Sequence, residues 1–166
     1  MKKNPAVKSM LQMALYLVLL IGVWLAIGLI TYPDAGKEKD VYADYVAQNE
    51  GVLVQLAENA IDPTKYPGIE AAAEVQSILA EQEISGVVAD EYGATFVLPS
   101  AQLEISRAIV YRPDGVYTLP SELTGWTQME SDTASLRWQG GLAGKGYVLA
   151  RPLSEHFFYQ EIYNPT

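Results

Sequence analysis

The sequence predicts an α+β protein with one N-terminal transmembrane helix, followed by a soluble domain of two helices and an antiparallel β-sheet. Three patterns lead to this prediction. A long apolar run lies near the start, apolar residues then recur every three or four positions, and from residue 84 onward they alternate with period two. Helices that precede a run of antiparallel strands are typical of α+β domains. We therefore divide the chain into a cytoplasmic tail (1–8), a transmembrane helix (9–31), a linker (32–40) and an extracytoplasmic domain (41–166).

The apolar run extends from Met10 to Thr31, and none of its 22 residues is charged. A helix rises about 1.5 Å per residue, so about 20 apolar residues cross the roughly 30 Å hydrocarbon layer of a bilayer. A helix on the surface of a soluble domain would present a polar stripe to solvent, and this segment has none. The pattern predicts a single-pass membrane protein with the lipid bilayer as one partner.

The charges that flank this run predict its orientation. Lys2, Lys3 and Lys8 precede it, whereas all 20 acidic residues follow Thr31 together with 8 of the 11 basic ones, so the formal charge beyond Thr31 is −12. Cationic flanks are retained on the cytoplasmic side of a membrane. We therefore expect a cytoplasmic N-terminus and an extracytoplasmic, acidic domain in a cell membrane.

A cleaved signal peptide is the main alternative to a retained anchor. Its apolar region would span about 7–15 residues and end at a small-x-small site. Here the run is longer, and Pro33 and Asp34 fit poorly at its exit, so a signal-anchor is favoured. Within the run, Gly22 and Ala26 form a small-xxx-small pair suited to helix packing. Ordinary transmembrane composition is the alternative explanation of that pair.

Two helices are predicted after the linker. The first covers residues 38–61, with a weak point at Gly51, and ends at Asp62-Pro63. The second covers residues 69–83, which are rich in good helix formers. The apolar face of the first helix is defined by three- and four-residue steps, which join Tyr42, Tyr45, Val46, Leu53, Leu56 and Ala60.

Alternation then predicts a series of short strands. Residues 84–89 and 94–98 form a hairpin around a four-residue loop, and Leu103–Arg112 is the clearest strand. In that strand Arg107 shares a face with the apolar residues, either at the sheet edge or paired with a carboxylate, while Arg112 points to the other face. After the Pro113-Asp114-Gly115 turn, further strands are expected at 116–119, 124–129, 135–138, 147–151 and 157–162.

Composition excludes several classes of function. The net charge of −9 argues against nucleic acid as a partner, because binding phosphates needs a basic surface. The chain has no cysteine, which removes disulfides, thiolate metal sites and cysteine nucleophiles. It also lacks a usable N-x-Ser/Thr acceptor, because Pro165 follows Asn164, and this is consistent with a bacterial envelope protein.

No motif assigns a catalytic, cofactor or metal site. The single histidine, His156, stands beside Ser154 and Glu155, but on a strand Glu155 would point away from the other two. The glycine-rich residues 140–146 lack the spacing of a phosphate-binding loop and are better explained as a loop with positive-φ glycines. The acidic clusters at 81–91 and 130–132 lack the spacing of a calcium loop and are interpreted as solvated surface.

The aromatic tail is the sequence's candidate interaction surface. Phe157 and Phe158 point to opposite sides of a strand, so one side needs cover from a helix, another strand or a partner. We therefore single out Phe157, Phe158 and Tyr159.

From these observations we expect a membrane-anchored, non-enzymatic interaction module of an envelope or membrane-protein assembly, without a cofactor. Its partner would be another protein or a second copy of the chain. Two alternatives remain: a sensory domain with a small-molecule pocket between the helices and the sheet, and a hydrolase that uses His156 or the carboxylates of Glu155 and Glu161.

Overall fold

The computed structural model describes residues 35–129 and 135–165 of the chain. The predicted cytoplasmic tail and transmembrane segment lie outside these residues. Within the described residues, no helix combines the length and apolar character that a membrane crossing requires.

The first helix, α1, extends over Ala35–Ile61 and is continuous through Gly51. Its apolar face forms as predicted, because residues at three- and four-residue steps turn to one side of a helix. Asp62 ends it, accepting hydrogen bonds from the backbone N–H and the hydroxyl of Thr64 at 3.1 and 2.7 Å. The buried apolar residues of α1 are Tyr45, Val46, Leu53, Leu56 and Ala57.

The second predicted helix is divided in two. A 3₁₀ turn covers Ile69–Ala71, Ala72 adopts an extended conformation, and α2 covers Ala73–Glu81. The extended residue interrupts the i→i−4 hydrogen bonds that a single helix over 69–83 would need. Glu83, with φ of 53°, then turns the chain away from the helix axis.

All seven strands among the described residues belong to one antiparallel sheet with the order β1-β2-β3-β7-β6-β5-β4. The final strand pairs with β3 on one side and β6 on the other, so it joins the two halves of the sheet. The α+β class, with two helices and an antiparallel sheet, is confirmed. The strands are β1 (Gly86–Asp90), β2 (Gly93–Leu98), β3 (Ile105–Tyr111), β4 (Thr127–Met129), β5 (Leu136–Gly140), β6 (Gly146–Pro152) and β7 (Phe157–Tyr163).

One side of the sheet, the helix face, packs against α1 and α2. The Tyr45 hydroxyl donates to the Ile78 carbonyl at 2.9 Å and ties the two helices together. Tyr42 stacks on Tyr159 of β7, with ring centroids 5.3 Å apart. The strand residues of this core alternate along the strands and are Ala94, Phe96, Leu98, Ile109, Tyr111, Phe157 and Tyr159.

The opposite side, the loop face, is covered by the irregular segment 112–126, called the covering segment below. Tyr117 and Leu123 of this segment are buried against the sheet, and the Tyr117 hydroxyl donates to Gln160 Oε1 at 2.6 Å. The rings of Tyr117 and Phe158 meet edge to face at 5.6 Å. The strand residues buried here are Trp138, Val148, Ala150 and Phe158.

The covering segment accounts for one error in the sequence prediction. Residues 116–119 are not a strand, because they cross the loop face instead of pairing in the sheet. Arg112, whose depth the sequence did not predict, begins this segment and is only 1% exposed. Two boundaries also differ: the β1–β2 loop has two residues instead of four, and Leu103 lies fully exposed before β3 begins.

Candidate functional site

The sequence-predicted site residues fall into two groups. The membrane-orienting Lys2, Lys3 and Lys8 and the helix-packing pair Gly22 and Ala26 lie outside the described residues. Their roles stay predictions.

The aromatic tail lies inside the domain. Phe157 and Tyr159 are 0% exposed in the helix-face core, and Phe158 is 6% exposed in the loop-face core. The two faces are therefore opposite, as alternation along a strand requires, and the chain itself covers both. These three side chains do not form an exposed interaction surface on the described domain, since α1 covers one side and the covering segment the other.

His156 lies in the turn between β6 and β7 and is half-buried. Its imidazole meets the ring of Tyr111 edge-on at 6.3 Å, and its carbonyl accepts the Arg112 N–H at 2.8 Å. The Ser154 hydroxyl donates instead to Glu50 Oε1 on α1, at 2.9 Å. The described residues therefore do not place the Ser154 hydroxyl on the imidazole, as a nucleophilic serine would require.

Glu161, the second carboxylate considered for hydrolysis, accepts hydrogen bonds from three side chains. Arg107 Nε and the Tyr159 hydroxyl donate to Oε2 at 3.2 and 3.1 Å, and the Tyr147 hydroxyl donates to Oε1 at 2.6 Å. Burial, followed by the bond to Glu161, raises the pKa of Tyr147, so this hydroxyl remains a donor at neutral pH. The carboxylate expected to pair with Arg107 is thus Glu161, and Glu155 lies apart, exposed in the β6–β7 turn.

The glycine-rich loop has a packing role that its sequence did not reveal. Gly141 and Gly144 have the positive φ values expected of such a loop, 73° and 68°. A Cβ at Gly140 would lie 2.4 Å from Trp126 Cγ, and one at Gly146 would lie 2.6 Å from Trp126 Cη2. Because these two glycines lack a Cβ, the indole of Trp126 in the covering segment can pack directly against them. Their role is therefore structural.

The acidic residues do not converge on a metal site: within the described ranges, no group of three or more potential metal ligands is present. Asp90 is instead paired with Arg112, whose Nη1 lies 3.1 Å from Oδ2. The sequence prediction missed this ion pair, in which the arginine is buried and the aspartate side chain is 34% exposed. The available signal was a charged residue at the end of each of two strands, since Asp90 is the last residue of β1 and Arg112 directly follows β3.

The described sheet ends in two edge strands, β1 and the three-residue β4. The longer of the two defines the β1 edge, which consists of β1 with Val97 of its neighbour. Among the described strands β1 pairs with β2 alone, so its outer side carries unpaired N–H and C=O groups. Val88 is 58% exposed and Val97 is 37% exposed. Val97 lies opposite Gly86, which has no side chain to separate the two valines. The edge therefore combines free backbone groups with exposed apolar surface.

A groove of about 420 Å³ runs beside this edge, between α2 and the start of β1. Its apolar walls come from both elements, and two polar residues of the helical region lie at its rim. Exposed carboxylates flank the strand, with Glu83 before it and Glu91 after it. The apolar residues that line the groove are Leu79, Ala80, Ile84 and Val87, and Glu70 and Gln76 line it as well.

Comparison with known proteins identifies no relative of this chain. No protein-family model matches the chain, and neither does a curated protein or a solved structure.

Proposed function

We propose that this chain is a non-catalytic interaction module, anchored in a cell membrane by residues 9–31, whose extracytoplasmic domain docks another envelope protein through the β1 edge. The single observation that carries the docking role is the exposed edge strand beside a groove lined by both apolar and polar residues. Edge strands are templates for pairing with another chain, and proteins usually shield them with charge, bulges or a covering loop.

The geometry of the β1 edge indicates how a partner would bind. An extended segment that pairs with β1 adds an eighth strand to the seven, and its backbone supplies the hydrogen bonds. Its side chains then alternate between the two faces. One set enters the groove at Leu79 and Ile84, and the other set contacts Val88.

Charge favours a partner with basic residues around an apolar centre. Glu83 and Glu91 lie at the two ends of β1, and Arg112, the basic residue near the far end, is already paired with Asp90. Lysine or arginine at both ends of the incoming segment would complement these carboxylates and speed association.

A second copy of this chain is a poorer partner. Two antiparallel β1 strands would place Glu83 of each copy near Glu91 of the other, and like charges across a strand pair are destabilising. The heterologous partner is therefore preferred over a homodimer.

The membrane placement is tested with the full chain carrying an epitope at its C-terminus. We expect carbonate-washed membranes to retain the protein, and external protease to remove the epitope in cells with a permeable outer barrier. Protection of the epitope, or release of the chain into the soluble fraction, would contradict the anchor and its orientation.

Docking is tested with synthetic peptides and full-length protein in nanodiscs. One peptide alternates valine with threonine and has lysines at both ends, and its control has glutamates there. We expect the lysine peptide to bind, and Val88→Glu to weaken it at least about tenfold, which corresponds to about 1.4 kcal/mol. Val41→Glu is the matched control, because Val41 is 55% exposed on α1, away from the edge.

Two results would count against docking at the β1 edge. Equal binding of the lysine and glutamate peptides would remove the electrostatic part of the proposal. Equal loss in Val88→Glu and Val41→Glu would place the binding surface elsewhere.

A further inference from the structure

A second cavity, of about 370 Å³, lies between the β1–β2 turn and the covering segment. It shares no lining residue with the groove beside α2. Proteins bind small molecules in concave sites of about 300–1,000 Å³ with a few convergent polar groups, so the volume suits a small ligand. The polar lining consists of Asp90, Glu91, Tyr92, Arg112, Ser121 and Glu122.

The central feature of this cavity is the buried Arg112 guanidinium. Its side chain is 2% exposed, and Nη1 donates to both Asp90 carboxylate oxygens and to the Tyr111 carbonyl at 3.1–3.2 Å. Nε has no hydrogen-bond partner among the described residues, and Nη2 makes none of the hydrogen bonds found there. Leaving the buried Nε–H unpaired is costly, because that group forfeits its bond to water, and Nη2 is left as a donor for an acceptor in the cavity.

The charges around Arg112 restrict the class of ligand. Asp90 neutralises the guanidinium, while Glu91 and Glu122 are exposed at the cavity. A free anion would be repelled by these two carboxylates, and a free cation would be repelled by the hydrogen-bond donors of Arg112. A neutral molecule whose groups both donate and accept hydrogen bonds can bind the Arg112 donors and the two carboxylates at the same time.

We propose that this cavity binds a neutral polyhydroxyl compound, a mono- or disaccharide. Hydroxyls of the ligand accept from Arg112 and donate to Glu91 and Glu122. The Arg112 guanidinium lies over one face of the Tyr92 ring, with its carbon 5.9 Å from the ring centroid, so the C–H face of a sugar ring would pack against the remaining exposed surface of Tyr92. This binding site is separate from the groove beside α2, although residues 89–91, which line it, also lie at one end of the β1 edge.

The test uses full-length protein in nanodiscs, which avoids sugar-based detergents, and ligand-observed saturation-transfer NMR. The probes are glucose, N-acetylglucosamine and its β1,4-linked disaccharide, with glycine and inorganic phosphate as a zwitterion and an anion. We expect saturation of the sugar ring protons. Tyr92→Ala and Glu122→Gln should each weaken binding about tenfold, the effect of losing one good contact of about 1.4 kcal/mol.

Control variants separate this site from the groove and from misfolding. Glu70 lies at the groove beside α2, so Glu70→Gln should leave the saccharide signal unchanged. Tyr92 and Glu122 are exposed, so their variants are expected to melt like the parent chain, whereas Arg112→Met would remove a buried guanidinium and would not separate binding from folding. Nanodiscs that carry a neutral glycolipid distinguish a lipid-linked sugar from a soluble one. A glycolipid head group that occupies the cavity competes with the free sugar and lowers its saturation signal.

The outcomes are distinct. Saccharide saturation lost in Tyr92→Ala and Glu122→Gln, and kept in Glu70→Gln and Val88→Glu, supports the proposal whatever the peptide experiment shows. No saccharide saturation, or a signal that neither cavity variant changes, overturns it. Saturation of the glycine protons without a saccharide signal overturns the assignment of ligand class. Broadening of the phosphorus resonance of phosphate by the protein, again without a saccharide signal, does the same.

Discussion

The two faces of the sheet are covered by different kinds of structure. On the helix face, α1 and α2 satisfy their own backbone hydrogen bonds and bury side chains at regular intervals. On the loop face, the covering segment has one 3₁₀ turn, Ser121–Leu123, but no strand pairing with the sheet, and it packs there chiefly through Tyr117, Leu123 and Trp126. A helix can cover a sheet with many interchangeable apolar contacts, whereas an irregular segment depends on a few specific ones.

This contrast has an energetic consequence. Stability from the helix face should scale with the apolar volume buried there, because the core is a continuous packed cluster. Stability from the loop face should depend on shape at single positions, above all where the Trp126 indole lies on Gly140 and Gly146. Four substitutions test this difference, from the largest expected effect to the smallest.

Leu53→Ala on α1 should have the largest effect. Leu53 is 0% exposed in the helix-face core, and truncating a buried leucine costs about 2–5 kcal/mol through lost burial and the cavity left behind. Urea unfolding of the full chain in mild detergent, followed by near-UV circular dichroism, measures the change. Ile61→Ala at the exposed end of the same helix is the control and should cost less than about 1 kcal/mol. Similar losses in both variants would argue against a helix-face core.

Gly140→Ala tests the loop face by adding a single methyl group. The new Cβ would lie 2.4 Å from Trp126 Cγ, so the indole must move, and overpacking of this kind costs about 1–3 kcal/mol. Gly86→Ala is the matched control, since Gly86 is also in a strand and has no atom within 4 Å of an added Cβ. The same unfolding assay applies.

A double variant shows whether the indole is the cause of that loss. If Trp126 is what the methyl group meets, Gly140→Ala should cost much less when Trp126 is already alanine, because the two changes remove one contact. Additive losses would mean that the glycine matters for its backbone and not as a seat for the ring.

The same contrast explains how much of the fold the sequence predicted. The helix face was predictable, because Leu53, Leu56 and Tyr45 recur at helical steps and Phe96 and Ile109 alternate along strands. The cover of the loop face was not, because an irregular segment has no period: Tyr117 was assigned to a strand that does not exist. Alternation predicted that Phe157 and Phe158 face opposite sides, but it could not show that both sides are covered by the same chain.

The candidate sites were predictable to a lesser extent. Arg107 was expected either at the sheet edge or paired with a carboxylate, and the structure shows the second, with Glu161, 54 residues away, as the partner. Arg112 was expected on the opposite face of its strand from Arg107, but its burial was not predicted, because strand alternation gives a direction and not a depth. The open position of β1 depends on the order of the strands, which pairing across the whole chain decides. Val88 could therefore not be recognised as an exposed edge residue from its neighbours in sequence.

Alkaline pH should destabilise the helix face through Tyr45. Burial, with a smaller contribution from Glu81, raises the pKa of this hydroxyl from 10.0 to about 12. Between these values the unfolded chain releases the proton while the folded chain keeps it, so the free energy of unfolding falls as pH rises from 10 toward 12. Below pH 10 both states keep the proton, and this contribution is fully present.

Tyr45→Phe isolates that effect. The variant loses the hydrogen bond to the Ile78 carbonyl, which should cost about 1 kcal/mol at neutral pH. Its free energy of unfolding should then fall less steeply than that of the parent above pH 10, because one group with a raised pKa is gone. Tyr117 on the loop face remains in both proteins, and burial raises its pKa as well, so some alkaline loss should persist. Equal slopes for parent and variant would contradict the assignment to Tyr45.

Gly51→Ala should give the smallest change and the only gain. Gly51 is exposed in the interior of α1, and an added Cβ there has no atom within 4 Å. Alanine restricts the unfolded chain more than glycine does and is a better helix former, so stability should rise by about 0.5–1 kcal/mol. An increase in the urea midpoint with an unchanged slope would show that α1 covers the sheet as one continuous helix. A decrease would mean that α1 needs the freedom of glycine at this position, and the regularity ascribed to the helix face would then be lost at its centre.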